Sequence, residues 1–147
     1  MEIPEYITTL EVRRVCQQLG LRDWTTLTSA LVELREAEII RNEVGAEALE
    51  ISVKDYKAGL EVELEHGVAF PDANVTNNHP ILTGKIVLAH LKESLDYYQR
   101  LDIAEIEGDI QKALLSGDLE KLAAKQKKLV AAKAVLTEIE NHQLKQV

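Results

Sequence analysis

A chain of 147 residues, 46% hydrophobic and 29% charged, is the size of one domain or of a small domain with an appendage. Its formal net charge of −8 argues against nucleic acid or an acidic membrane as a partner, because both need a positive surface. A single cysteine, Cys16, rules out an intrachain disulfide and a cysteine zinc cluster. No apolar run is long enough to span a bilayer, and Met1-Glu2-Ile3-Pro4-Glu5 has neither a basic region nor a leader core, so a soluble cytoplasmic protein is expected.

Three prolines and seven glycines leave room for long helices, and no β-alternation of useful length occurs, so the chain reads as all-α. Thr8-x-x-Glu11 is a capping-box pattern opening the first helix. Val12, Val15, Cys16 and Leu19 form its buried stripe, and Gly20 ends it. Cys16 on that stripe is expected to be an inert core thiol. A connector over residues 21–26 carries Trp24, a packing anchor. A second helix, capped by Thr28 or Ser29, then runs to about Val44. Helix, connector and helix do not make a DNA reader here: the connector is long for that motif, and Glu33, Glu36, Glu38 and Glu43 would repel phosphate.

The third helix follows the cap pattern Ser52-x-x-Asp55 and is expected to close at Gly67. A long loop to His79 is functional or mobile by its length. Asn74-Val75-Thr76 in it matches a glycosylation sequon by chance. The fourth helix starts near Pro80 to Thr83 and is expected to run through Leu101. Thr83-Gly84-Lys85 lacks the first glycine of a phosphate loop. Ile106, Ile110, Ala113 and Leu114 then form a stripe, Ser116-Gly117-Asp118 breaks it, and Leu122, Leu129 and Leu136 recur every seven residues. That pattern fits a helical hairpin, either packed as a bundle or forming a coiled-coil seam. From Asp118 onward six basic residues stand against four acidic ones, a solvated face or a contact for the acidic part of the molecule or of a second copy. Three regions result: residues 1–50, residues 51–101 with a central helix pair, and residues 102–147 with the hairpin.

Chemistry concentrates on the central pair. Glu63 and His66 are three residues apart and share a helix face, a spacing used by carboxylate-bridged metal sites. On the helical wheel Val53, Tyr56, Leu60 and Leu64 form the apolar stripe, and Gly59, Glu63 and His66 fall at its margin, partly enclosed. His90 lies inside the apolar arc of helix four, with Glu93 and Tyr97 near its edge. A buried imidazole needs a partner, which Glu63, Glu93 or a metal could supply. In a plain antiparallel pair, however, His90 comes opposite Tyr56 or Lys57, on the order of 10 Å from Glu63. A metal joining Glu63, His66 and His90 therefore requires an offset between the helices or a ligand from a second chain. His79 and His142 are expected to be exposed. No Ser, His and acid can be placed together from spacing alone.

The segments Gly59-Leu-Glu-Val-Glu-Leu-Glu-His-Gly67, Asn74-Val-Thr-Asn77, Leu82-Thr-Gly-Lys-Ile-Val-Leu-Ala-His-Leu-Lys-Glu93 and Asp96-Tyr-Tyr-Gln-Arg-Leu101 resemble a family of unknown function found in bacteria and in some phage-associated proteins. The resemblance covers residues 52–101 and leaves out the N-terminal helices and the C-terminal hairpin. It implies shared polar positions at Glu61, Glu63, His66, Lys85, His90, Glu93, Asp96, Tyr97 and Tyr98, and it implies no activity. The family often has proline before Asp-Tyr-Tyr; this chain has Leu95, so helix four is expected to continue unbroken.

Two functions follow as expectations. The first is a non-enzymatic interaction or structural protein that self-associates or binds a protein partner, with the Glu/His network orienting the central pair. The second is a small helical metal-binding protein. Its ligands would come from Glu63, His66, His90 and Glu93, with Glu61 in reserve, and iron or zinc would suit such mixed donors.

Overall fold

The computed structural model describes residues 6–145, apart from the side chain of Ala46; Met1–Glu5, read above for a leader, lie outside them. The described residues form six α-helices and no strand: α1 Thr9–Leu19, α2 Leu34–Val44, α3 Val53–Ala69, α4 Pro80–Glu93, α5 Tyr97–Ser116 and α6 Leu119–Leu144. None of these helices is long and apolar enough to cross a membrane. The chain divides into two compact units, Met1–Lys92 and Glu93–Val147.

In the first unit the local signals act as their chemistry dictates. Thr8 Oγ1 accepts the Glu11 N–H at 3.2 Å and opens α1. Gly20 closes α1 in the left-handed region at φ 66°. Val12 and Cys16 are buried beneath it, and burial pushes the Cys16 thiol above its ordinary pKa, so it stays protonated. Ser52 Oγ accepts the Asp55 N–H at 3.1 Å and opens α3, whose Tyr56, Gly59, Leu60 and Leu64 are buried.

Two helix boundaries differ from the sequence expectation. α2 starts at Leu34 rather than after Thr28 or Ser29. Residues 27–33 are held outside the helix because their polar groups are bonded elsewhere. The Leu31 carbonyl accepts from Arg22 Nη2 at 2.7 Å, and the Val32 N–H donates to Glu61 Oε1 at 3.0 Å. Meanwhile α3 passes through Gly67 and ends at Ala69. Gly67 is a contact point, not a stop: a Cβ there would lie 2.0 Å from Asn78 Oδ1.

α4 packs closely on α2 and α3 for the same reason. A Cβ on Gly84 would lie 2.6 Å from the Tyr56 hydroxyl and 2.7 Å from Ile40 Cγ2. The Tyr56 hydroxyl, fully buried, donates to the Gly84 carbonyl at 2.7 Å. Thr83-Gly84 thus serves helix packing.

The second unit is a hairpin of α5 and α6. α4 does not run through Leu101; it stops at Glu93, and α5 begins at Tyr97. No proline is needed for the break. Asp96, buried at the turn, accepts from the Ser94 hydroxyl and from Arg100 Nε and Nη2 at 3.0 and 2.8 Å. These bonds, that of Arg100 first, hold the Asp96 carboxyl below its ordinary pKa. Leu95 is left exposed. Gly117, at φ 70°, turns the chain into α6. Ion pairs of Arg100 with Glu140, Lys133 with Glu107 and Lys125 with Asp109 lie along the antiparallel pair. Ile106 and Ala113 on α5 and Leu129 on α6 are buried, with Leu122 and Leu136 half-buried, so the heptad leucines face α5. Leu114, expected on the α5 stripe, is exposed.

Replacing Gly84 with alanine tests the α4 contact. The methyl group meets a fully buried tyrosine and isoleucine, and such overpacking costs about 1–3 kcal/mol. Urea unfolding of Gly84→Ala is expected to show a loss of that size, whereas Gly108→Ala, where nothing lies within 4 Å, is expected to leave stability unchanged or raise it.

Candidate functional site: a histidine–carboxylate pair beside a cleft

α3 supplies Glu63 and His66, and α4 supplies His90. His90 Nδ1 lies 2.9 Å from Glu63 Oε1, so Nδ1–H donates to the carboxylate. The plain antiparallel register had separated these two residues; the structure offsets the helices and joins them. Glu63 is thus the partner that the imidazole on the apolar arc requires.

The offset comes from the loop between the helices. Pro71–Ala73 make one turn of 3-10 helix, and then Asn77 and Asn78 both adopt left-handed backbone at φ 49° and 60°. Asparagine accepts that region more readily than most residues. The three asparagines then anchor the loop. Asn74 Nδ2 donates to the Gly67 carbonyl at 3.2 Å and to Asn78 Oδ1 at 2.7 Å. Asn77 Nδ2 donates to the Ile7 carbonyl at 2.6 Å, and Asn78 Nδ2 to the Trp24 carbonyl at 3.4 Å. The loop is therefore bonded to the chain on both sides of α1. The sequence reading recognised the loop and missed this network; its signal was the run of asparagines before His79-Pro80.

A cleft of about 210 Å³ opens where this loop meets α3. Glu63, His66, Asn74 and Asn78 line it together with Phe70, Val75 and Ile86. Phe70, Val75 and Ile86 are exposed, so the cleft has an apolar rim. His66 is exposed rather than partly enclosed as the wheel had placed it.

Glu93 is the exposed last residue of α4. Glu61 faces away from the cleft and accepts from the Val32 N–H and from Lys57 Nζ at 2.5 Å. Among the described residues no group of three or more His, Cys, Asp or Glu side chains is placed to hold a metal ion.

His79 departs from expectation in the other direction. It is 8% exposed, not a solvent-facing loop residue. Its carbonyl accepts the Thr83 N–H at 2.9 Å and the Thr83 hydroxyl at 3.0 Å, and its Nδ1 accepts the Leu82 N–H at 3.4 Å. It caps α4 with an unprotonated ring nitrogen. Burial, above all, depresses its pKa below the ordinary 6.5.

That depression fixes the sign of a pH effect. The unfolded chain binds the His79 proton more readily, so the stabilisation is complete above pH 6.5 and is lost as pH falls through the folded value. One such group contributes a slope of at most about 1.4 kcal/mol per pH unit. His79→Asn keeps a capping oxygen and removes the titration. Between about pH 7.5 and pH 5.5 its unfolding free energy is expected to fall less than that of the wild type; equal falls would refute the capping role of the neutral ring.

No curated protein and no solved structure matches the chain. A family of proteins of unknown function matches residues 12–107. That span is wider than the segment 52–101 that carried the resemblance, since it takes in most of α1, all of α2 and the first half of α5, and leaves α6 outside. It covers well over half of the sequence. On that match, the chain belongs to the family described as Protein of unknown function (DUF5661).

Proposed function

We propose that this chain is a non-enzymatic interaction module that associates with itself through the outer face of its C-terminal hairpin. One observation carries the reading: α6 has two apolar stripes, set about 110° apart around the helix, and α5 covers only one of them. Leu129 is 8% exposed, whereas its neighbour Val130 is 64% exposed. Leu119, Ala123, Val130 and Ala134 follow at i, i+4, i+11 and i+15, one stripe along the helix, and all four are exposed. A two-helix hairpin is small for independent stability, and further packing is the usual remedy. The Glu63–His90 bond then serves the register of α3 and α4, and the one thiol, buried Cys16, suits a reducing compartment such as the cytoplasm.

Sedimentation of the full chain tests this directly. The wild type is expected to exceed the monomer mass. Val130→Asp is expected to sediment as a monomer with its helicity intact, and Leu129→Asp to lose hairpin helicity as well. A wild type that remains monomeric at high micromolar concentration would falsify the reading.

A second reading is favoured by the Glu63–His90 pair together with His66. Carboxylate–imidazole hydrogen bonds commonly accompany metal-binding histidines, and His66 lines the same cleft as Glu63. Iron or zinc would suit these donors, with a second copy completing the ligand set. Elemental mass spectrometry of tag-free protein decides this. Near-stoichiometric metal that disappears in His66→Ala supports it, and no metal after reloading with iron and zinc removes it.

A further inference from the structure

We infer that the surface receiving α6 lies on the first unit of a second copy, in the groove between the outer face of α3 and the segment before α2. This rests on the self-association proposed above and names the partner surface. The groove has a volume of about 400 Å³ and is lined by Ala30, Leu31, Ala58, Glu61, Val62 and Glu65. Four of these come from α3 at i, i+3, i+4 and i+7, so they share one face, opposite the buried stripe of Tyr56, Leu60 and Leu64. The facing wall is fixed rather than floppy, because the Val32 N–H donates to Glu61. Leu31 in that wall is 69% exposed, a large apolar side chain left in water at the groove's edge.

The groove is apolar with an acidic edge, and α6 carries the complement. Ala123, Lys127, Val130 and Ala134 fall at i, i+4, i+7 and i+11, again one helix face, apolar with a basic residue in its middle. Lys125 and Lys133 pair with Asp109 and Glu107 inside the hairpin, but among the described residues no ion pair reaches Lys127 or Glu65. The wider charge distribution points the same way. The first unit has 15 acidic against 9 basic residues, whereas α6 has five lysines against three glutamates. Such complementarity steers encounter and fixes register, and apolar contact between Val130 and the groove supplies the burial.

The test uses the full chain at low ionic strength, read by sedimentation velocity, with circular dichroism showing that each variant is folded. Glu65→Lys and Lys127→Glu are each expected to weaken self-association by at least about tenfold. An equimolar mixture of the two is expected to regain it, since one variant keeps the native groove and the other the native helix face. Raising salt from about 0.1 M to 1 M is expected to weaken the wild type, as the screening length shrinks from about 10 Å to 3 Å. A mixture that fails to reassociate overturns the pairing. So does a protein that Val130→Asp dissociates while both charge variants associate normally; that result leaves self-association standing through another surface. A monomeric wild type overturns both.

Discussion

The first unit depends on one buried carboxylate. Glu36, 3% exposed in the first turn of α2, accepts five N–H groups. Oε1 takes the Arg22 backbone N–H at 3.1 Å, Arg22 Nε at 3.1 Å and Trp24 Nε1 at 3.3 Å. Oε2 takes Arg22 Nη2 at 2.5 Å and the Glu33 N–H at 3.0 Å. Burial alone would raise the Glu36 pKa; the bonds from Arg22, Glu33 and Trp24 outweigh it and hold the carboxyl below its ordinary value. Its stabilisation is therefore present above about pH 4.5 and lost as pH falls through the depressed value. Each buried donor left unpaired by loss of this side chain costs about 1–3 kcal/mol.

The geometry downstream follows from that hub. By taking the Glu33 N–H, Glu36 sets the start of α2. By orienting Arg22, it lets the same guanidinium hold the Leu31 carbonyl, which keeps residues 27–33 out of the helix. That extended segment becomes one wall of the groove beside α3. Trp24, fixed by its indole N–H, in turn offers its carbonyl to Asn78 and so receives the loop that sets the offset of α3 and α4.

Legibility in the sequence divides along the same line. Local signals were readable: the caps at Thr8 and Ser52, the turns at Gly20 and Gly117, the anchor Trp24 and the core face of α3 all depend on residues within about one turn of each other. The hub was not readable, because Glu36 looked like one more acid on an acidic helix and its partners Trp24 and Arg22 lie 12 and 14 residues away. Gly67 and Gly84 read as a stop and as a failed phosphate loop; their meaning is a neighbour that sequence does not show. The site shows the same split. Periodicity placed Glu63 and His90 on the right faces, but their axial offset is set by Asn74, Asn77 and Asn78 through bonds to Gly67, Ile7 and Trp24. The break before Tyr97 was missed because proline was taken as its cause, whereas Asp96 and Arg100 make it.

The position of Trp24 has an optical consequence. It is the chain's one tryptophan, fully buried in the first unit and bonded to the Glu36 hub, while the hairpin contains none. Its emission therefore reports the packing of the first unit alone, and far-ultraviolet ellipticity reports the helices of both. The two signals on one heated sample distinguish a chain that melts as a single cooperative body from one whose hairpin melts at its own temperature.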